Sequence, residues 1–224
     1  MLWLRWLLIA LLLCGPERAT LPPPKLPAEP PVSTSARVAV PVLDDGTEVD
    51  LDLPARLHVR NRGGSDGAGL CVFASMRHSG LWADEPVFTA MFEWMFTRPG
   101  GGYPEKVDRM IHRYCTVEGK PVPPYVQIEG SDLEPLRRAV QAGLMPGVTY
   151  YRSPTGRYGG RRIPHMVSLV AAGPKWWVIL DNNFPGSLEW MSQDDFVRSY
   201  TDGSGKGWAI IPLTPGPPPL PRNP

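Results

Sequence analysis

From residue 71 the chain repeats apolar residues at the three- and four-residue spacing of helices, and from about residue 147 it changes to short β-branched and aromatic runs. Val72, Phe73 and Met76 give one apolar face to a helix over residues 71–79. Asp84, Glu85 and Pro86 open a second, with Phe88, Met91, Phe92 and Met95 inward. The acids sit where the helix dipole is positive, and a proline at the first helical position gives up an N–H that has no partner there. Pro104 and Glu105 open a third, with Val107, Met110, Ile111 and Tyr114 on its buried face. Ser131 and Glu134 have the spacing of a capping box, which predicts a fourth helix over 131–142 that stops at Gly143. Strands are expected over 147–152, 165–172, 176–181 and 208–213, and a short helix over 192–200 with Asp194 and Asp195 in its first turn. Upstream, residues 37–53 alternate apolar and polar around Asp45-Gly46, the pattern of a hairpin. Helices followed by strands predict an α+β domain with two segregated halves and a cleft between them.

Composition adds limits. With 224 residues, 42% hydrophobic and 20% charged, the chain can bury one core of about 150 residues. The net charge of +1 supplies no field for nucleic acid or an anionic membrane surface. Arg5 followed by the apolar run from Trp6 to Cys14 reads as a signal peptide over 1–19, too short for a stable membrane span. That implies export, to a periplasm, the medium or an envelope tether. Residues 20–36 are a proline-rich linker and 214–224 a proline-rich tail, so the folded domain is expected over 37–213.

The stretch NRGGSDGAG before Leu70-Cys71 lacks the Gly-Lys-Ser/Thr of a phosphate loop. Its glycines instead allow a sharp turn that starts a helix at Cys71. A thiol in the first turn of a helix is favoured as thiolate, and the backbone N–H beside it can donate to a developing oxyanion. Of the four histidines, His112 lies among charges on the third helix, and His58 and His78 flank the cysteine segment without an evident partner. His165 starts a strand, and a hairpin turning about Gly173 places Asp181, sixteen positions on, across from it; a turn one residue longer places Asn182 there. Either side chain would hold one ring nitrogen and aim the other at a thiol. No spacing of His and Cys suggests a metal, and no cofactor is implied. Trp82, Trp94, Trp176, Trp177 and Trp190 suit a core or a cleft wall, and the basic glycine-rich segment 153–162 suits a solvated loop or a gate.

The order Cys, His, Asp/Asn, with CVFAS at 71–75 and HMVSLVAAGPKWWVILDNNF at 165–184, resembles the papain-like cysteine peptidases. The separation of 94 residues between Cys71 and His165 is shorter than the roughly 130–150 of the papain and cathepsin group. It is closer to the compact bacterial branch that includes double-glycine leader peptidases, whose strand before the histidine QAGLMPGVTYY also resembles. The resemblance spans about residues 55–212. It implies a helical half whose cysteine helix packs on an antiparallel β half, and a thiol peptidase or amidase acting on a peptide or protein. In it Cys71 would be the nucleophile, His165 the base, and Asp181 the orienter, with Asn182 the alternative. Such enzymes usually carry a glutamine six positions before the cysteine as an oxyanion donor; Ser65 stands there, with Asn61, Arg62 or a loop amide as substitutes. Three other readings compete: a transglutaminase-like enzyme, an inactive envelope protein used for binding or structure, and a disulfide between Cys71 and Cys115.

Overall fold

A computed structural model describes residues 51–214 and 216; the hairpin, linker and signal-peptide readings of residues 1–50 lie outside them, as does most of the proline-rich tail. The described chain forms five α-helices and six strands: α1 Cys71–Ala83, α2 Pro86–Trp94, α3 Pro104–Glu118, β1 Tyr125–Gly130, α4 Glu134–Gln141, β2 Gly147–Tyr150, β3 His165–Ala172, β4 Trp177–Leu180, β5 Leu188–Met191, α5 Gln193–Tyr200 and β6 Gly207–Pro212. The strands make one antiparallel sheet in the order β1-β6-β2-β3-β4-β5. The protein is therefore α+β.

Both sheet faces are buried, and alternate residues along a strand enter different cores. Met166 and Ile210 join Phe73, Met76, Phe88 and Ile111 beneath α1–α3, whereas Val167, Ala209 and Ile211 join Leu136, Val140 and Phe196 beneath α4 and α5. Helix α1 is the central element, buried almost all round. Its Gly80 lies so close to α2 that a Cβ there would come within 2.5 Å of the Thr89 backbone nitrogen. Among the described residues no helix is long and apolar enough to cross a membrane.

Several expectations need correction. The Ser131–Glu134 capping box does not form: α4 starts at Glu134 behind Leu133, and the Asp132 carboxylate accepts the Glu134 N–H instead. Strands β1 and β5 were not predicted. The first follows a proline-rich approach at Pro121, Pro123 and Pro124, and the second is four residues long, so neither offers a clear alternating run. By contrast Glu85 and Ser192 cap α2 and α5, accepting N–H bonds from the residues that follow. The tryptophans named above belong to the cores: Trp177 is fully buried and stacks on Phe196, and Trp82, Trp94, Trp176 and Trp190 pack against the two clusters.

Candidate active site

The N-terminus of α1 is delivered to the sheet by two glycine loops that pass backbone against backbone. A Cβ on Gly100 would lie 2.2 Å from the Ala68 carbonyl oxygen, and one on Gly64 would lie 2.4 Å from the Gly100 nitrogen. Only glycine permits this approach. The Asp66 carboxylate ties the loops together by accepting the N–H groups of Ala68 and Gly100, and the Gly101 N–H donates to Gly69. No side chain caps α1, so the amides of its first turn have no intrahelical partner. Cys71 is half-buried there, and both it and Cys115 are free thiols, which corrects the disulfide reading.

Cys71 and His165 stand together in the wall of a cleft of about 780 Å³. The Cys71 side chain acts on the imidazole as one of the groups that raise its pKa. His165 Nε2 meets Asp181 Oδ1 at 2.9 Å, with both side chains essentially removed from solvent. Asp181 Oδ1 also accepts the Asn183 N–H at 2.8 Å, and Oδ2 accepts the Tyr158 hydroxyl at 2.6 Å. Burial opposes charge on both partners. For His165 the bond to Asp181 and the Cys71 side chain outweigh it and raise the pKa to about 9. For Asp181 the bonds from His165, Tyr158 and Asn183 outweigh it and hold the carboxyl below its ordinary 3.8. The buried pair is therefore imidazolium and carboxylate at neutral pH.

The pairing was legible, but its register was not. Strands β3 and β4 pair Ser168 with Leu180 and Leu169 with Ile179, then shift by one between Leu169 and Ala171. Carried one residue past β4, this register puts Asp181 across from Val167, two positions from His165 and on the same face. Asn182 is not the orienter. Its fully buried amide Nδ2 lies 2.9 Å from the Met166 carbonyl, 3.1 Å from the Cys71 carbonyl and 3.0 Å from Ser75 Oγ, stapling the first turn of α1 to β3.

Ser65 is exposed, its N–H donates to the Arg98 carbonyl, and it does not line the cleft. Asn61 does line it. Its Oδ1 accepts the Leu70 N–H at 2.9 Å and its Nδ2 donates to Asn183 Oδ1 at 3.1 Å, which leaves one amide hydrogen uncommitted to these partners. The sequence offered Asn61 only as a substitute, because its distance along the chain from Cys71 says nothing about the loop that folds it back.

The other two histidines near Cys71 are structural. His78 Nε2 accepts the Val59 N–H and Nδ1 bonds Ser168 Oγ; burial, with His58 adding to it, lowers its pKa to about 3, so the ring is neutral. His58 joins the Leu53 carbonyl to the Gly186 N–H. His112 is exposed, as its charged surroundings imply. Beyond the thiol the cleft is walled by Tyr103, Tyr151, Tyr158 and Trp208, not by the five tryptophans singled out in the sequence. Among the described residues no group of three or more His, Cys, Asp or Glu side chains could hold a metal ion. The chain matches no protein-family model and shows no significant match to a curated protein.

Proposed function

We propose that the protein is a thiol hydrolase, a peptidase or amidase of papain-like layout, with Cys71 as nucleophile, His165 as acid and base, and Asp181 as orienter. The observation that carries this reading is Cys71 and His165 together in the wall of an open cleft, with Asp181 buried behind the histidine and the thiol at an uncapped helix start. Asp181 occupies Nε2 of the imidazole, which leaves Nδ1 as the nitrogen that can serve the sulfur. The papain-like arrangement is supported by a cysteine that opens the central helix and a histidine that opens the long strand β3.

In the reaction the Cys71 sulfur, its proton held by His165, attacks an amide carbonyl, a C–S bond forms, and the carbonyl electron pair moves onto oxygen. The Cys71 N–H and the uncommitted Asn61 amide hydrogen would receive that charge in place of Ser65. As the C–N bond breaks, His165 gives its proton to the leaving amine. His165 then takes a proton from water, which attacks the thioester; the C–S bond breaks, a carboxylic acid leaves, and the thiolate–imidazolium pair is restored. Asp181 stays ionised throughout and stabilises the imidazolium. The volume of the cleft and its aromatic side chains suit a peptide segment. With residues 1–19 read as an export signal, the substrate would be met outside the cytoplasm.

Incubation of the protein with a mixture of tryptic peptides, read by mass spectrometry for new termini, tests this assignment. Wild-type protein is expected to generate new termini that Cys71→Ala does not. Equal product sets from the two proteins would overturn it.

A further inference from the structure

We propose that Tyr158 is a positioning residue for this centre: its phenol, brought in by the 153–162 segment, holds the outer oxygen of Asp181 and sets how firmly the carboxylate retains the imidazole proton. The inference rests on the thiol-hydrolase reading and deepens it.

The phenol is one link of a circuit. Tyr158 donates to Asp181 Oδ2 at 2.6 Å and accepts from Asn183 Nδ2 at 3.0 Å. Asn183 Oδ1 accepts from Asn61, and Asn61 accepts the N–H of Leu70, the residue before the nucleophile. Beside Cys71 in the cleft wall, His165 leads back to Asp181. The ring of Tyr158 also meets the His165 ring edge-on, with centroids 6.0 Å apart.

The segment that carries Tyr158 is largely exposed, as the solvated-loop reading expects, and it is anchored at several points. Glu189 on β5, 2% exposed, accepts the hydroxyls of Tyr150 at 2.8 Å, Ser153 at 2.6 Å and Thr155 at 2.5 Å. Arg157 Nη2 donates to the Leu188 carbonyl at 2.9 Å. Gly156 and Gly159, at φ 80° and 62°, supply the left-handed turns on either side of the tyrosine. Burial and the neighbouring Asp181 push the Tyr158 phenol pKa upward, so it remains a donor at every pH the protein meets.

Each donor to a carboxylate withdraws charge from it and weakens its hold on a shared proton. The ionisable groups facing the His165–Asp181 pair are Cys71 from α1, Tyr150 from β2, Glu189 from β5, and Tyr158 from the 153–162 segment; Arg157 from that segment ion-pairs with Glu189. Of these, Tyr158 alone donates to Asp181 from outside the thiol–imidazole pair.

The test is NMR titration of the His165 ring in the full chain, beside the pH dependence of Cys71 alkylation by iodoacetamide. In wild type the ring should titrate near pH 9. Tyr158→Phe should raise that midpoint by roughly half to one pH unit. 3-Fluorotyrosine at position 158, a stronger donor of the same shape, should lower it. A purely structural role predicts no such opposed pair of shifts, and the fluorinated protein decides the matter alone if the phenylalanine variant does not fold. A wild-type midpoint near 9 that neither variant moves would overturn the role of Tyr158 and leave the hydrolase reading intact. A His165 ring titrating at its ordinary value, with Cys71 alkylated equally in His165→Ala, would overturn both.

Discussion

Replacing His165 with alanine should slow alkylation of Cys71 by iodoacetamide about 100-fold at pH 6 and change the shape of its pH dependence. The imidazole lies beside the sulfur and is held protonated up to pH about 9 by Asp181 and Cys71. While that cation is present a thiolate at Cys71 has a buried counter-charge, so the wild-type rate should exceed that of the variant most at low pH. Without it the thiolate loses that counter-charge, and the rate should depend more steeply on pH than in wild type. The smaller intrinsic nucleophilicity of a thiolate paired with a cation moderates the difference, which is why the expected factor at pH 6 is about 100 and not larger. Stopped-time mass analysis of the Cys71 peptide gives the rates; superimposable profiles for the two proteins would separate the histidine from the sulfur's chemistry.

Asn182 should dominate stability at the site. It is fully buried, and its amide serves three acceptors that belong to α1 and β3. Asn182→Ala leaves the Cys71 carbonyl without that donor and opens a small cavity, at a cost of about 2–4 kcal/mol. For a domain of this size the Tm should fall by about 5–12 °C. Asn182→Asp should cost more than alanine, because it points an acceptor at two carbonyl oxygens that can only accept. The comparison fixes the orientation of the amide, since an aspartate as well tolerated as the native residue would mean that the donor side faces elsewhere. Calorimetric unfolding of the three proteins is the measurement.

What could be read from the sequence divides by the range of the interaction. Helix starts at Cys71, Pro86 and Pro104, and the long strand at His165, are announced by residues within one turn of each other, and the structure places them there. The Ser131–Glu134 box has the same local spacing and does not form, because Leu133 holds the position before the first helical turn and Asp132 supplies the acceptor. The His165–Asp181 pair was reachable by counting along a hairpin, although the count assumed a symmetric turn and the strands are shifted at Leu169–Ala171. An error of two residues preserves the face, so the partner survived the wrong register. Tyr158, Asn183 and Glu189 had no such signal. They enter from loops and an edge strand, and only the folded chain shows that they share one network. Ser65 illustrates the opposite failure: a position transferred by distance along the chain falls outside the cleft, while Asn61 is folded into its wall.

The central claim is that Cys71 forms an acyl intermediate with the help of His165. Intact-mass analysis within the first turnover, with the p-nitrophenyl ester of an N-blocked amino acid, tests it most directly. The account predicts a burst of about one nitrophenolate per chain with the acyl group mapping to Cys71, absent in Cys71→Ala and His165→Ala. Acylation elsewhere on the chain, or equal acylation of Cys71 in His165→Ala, would contradict it.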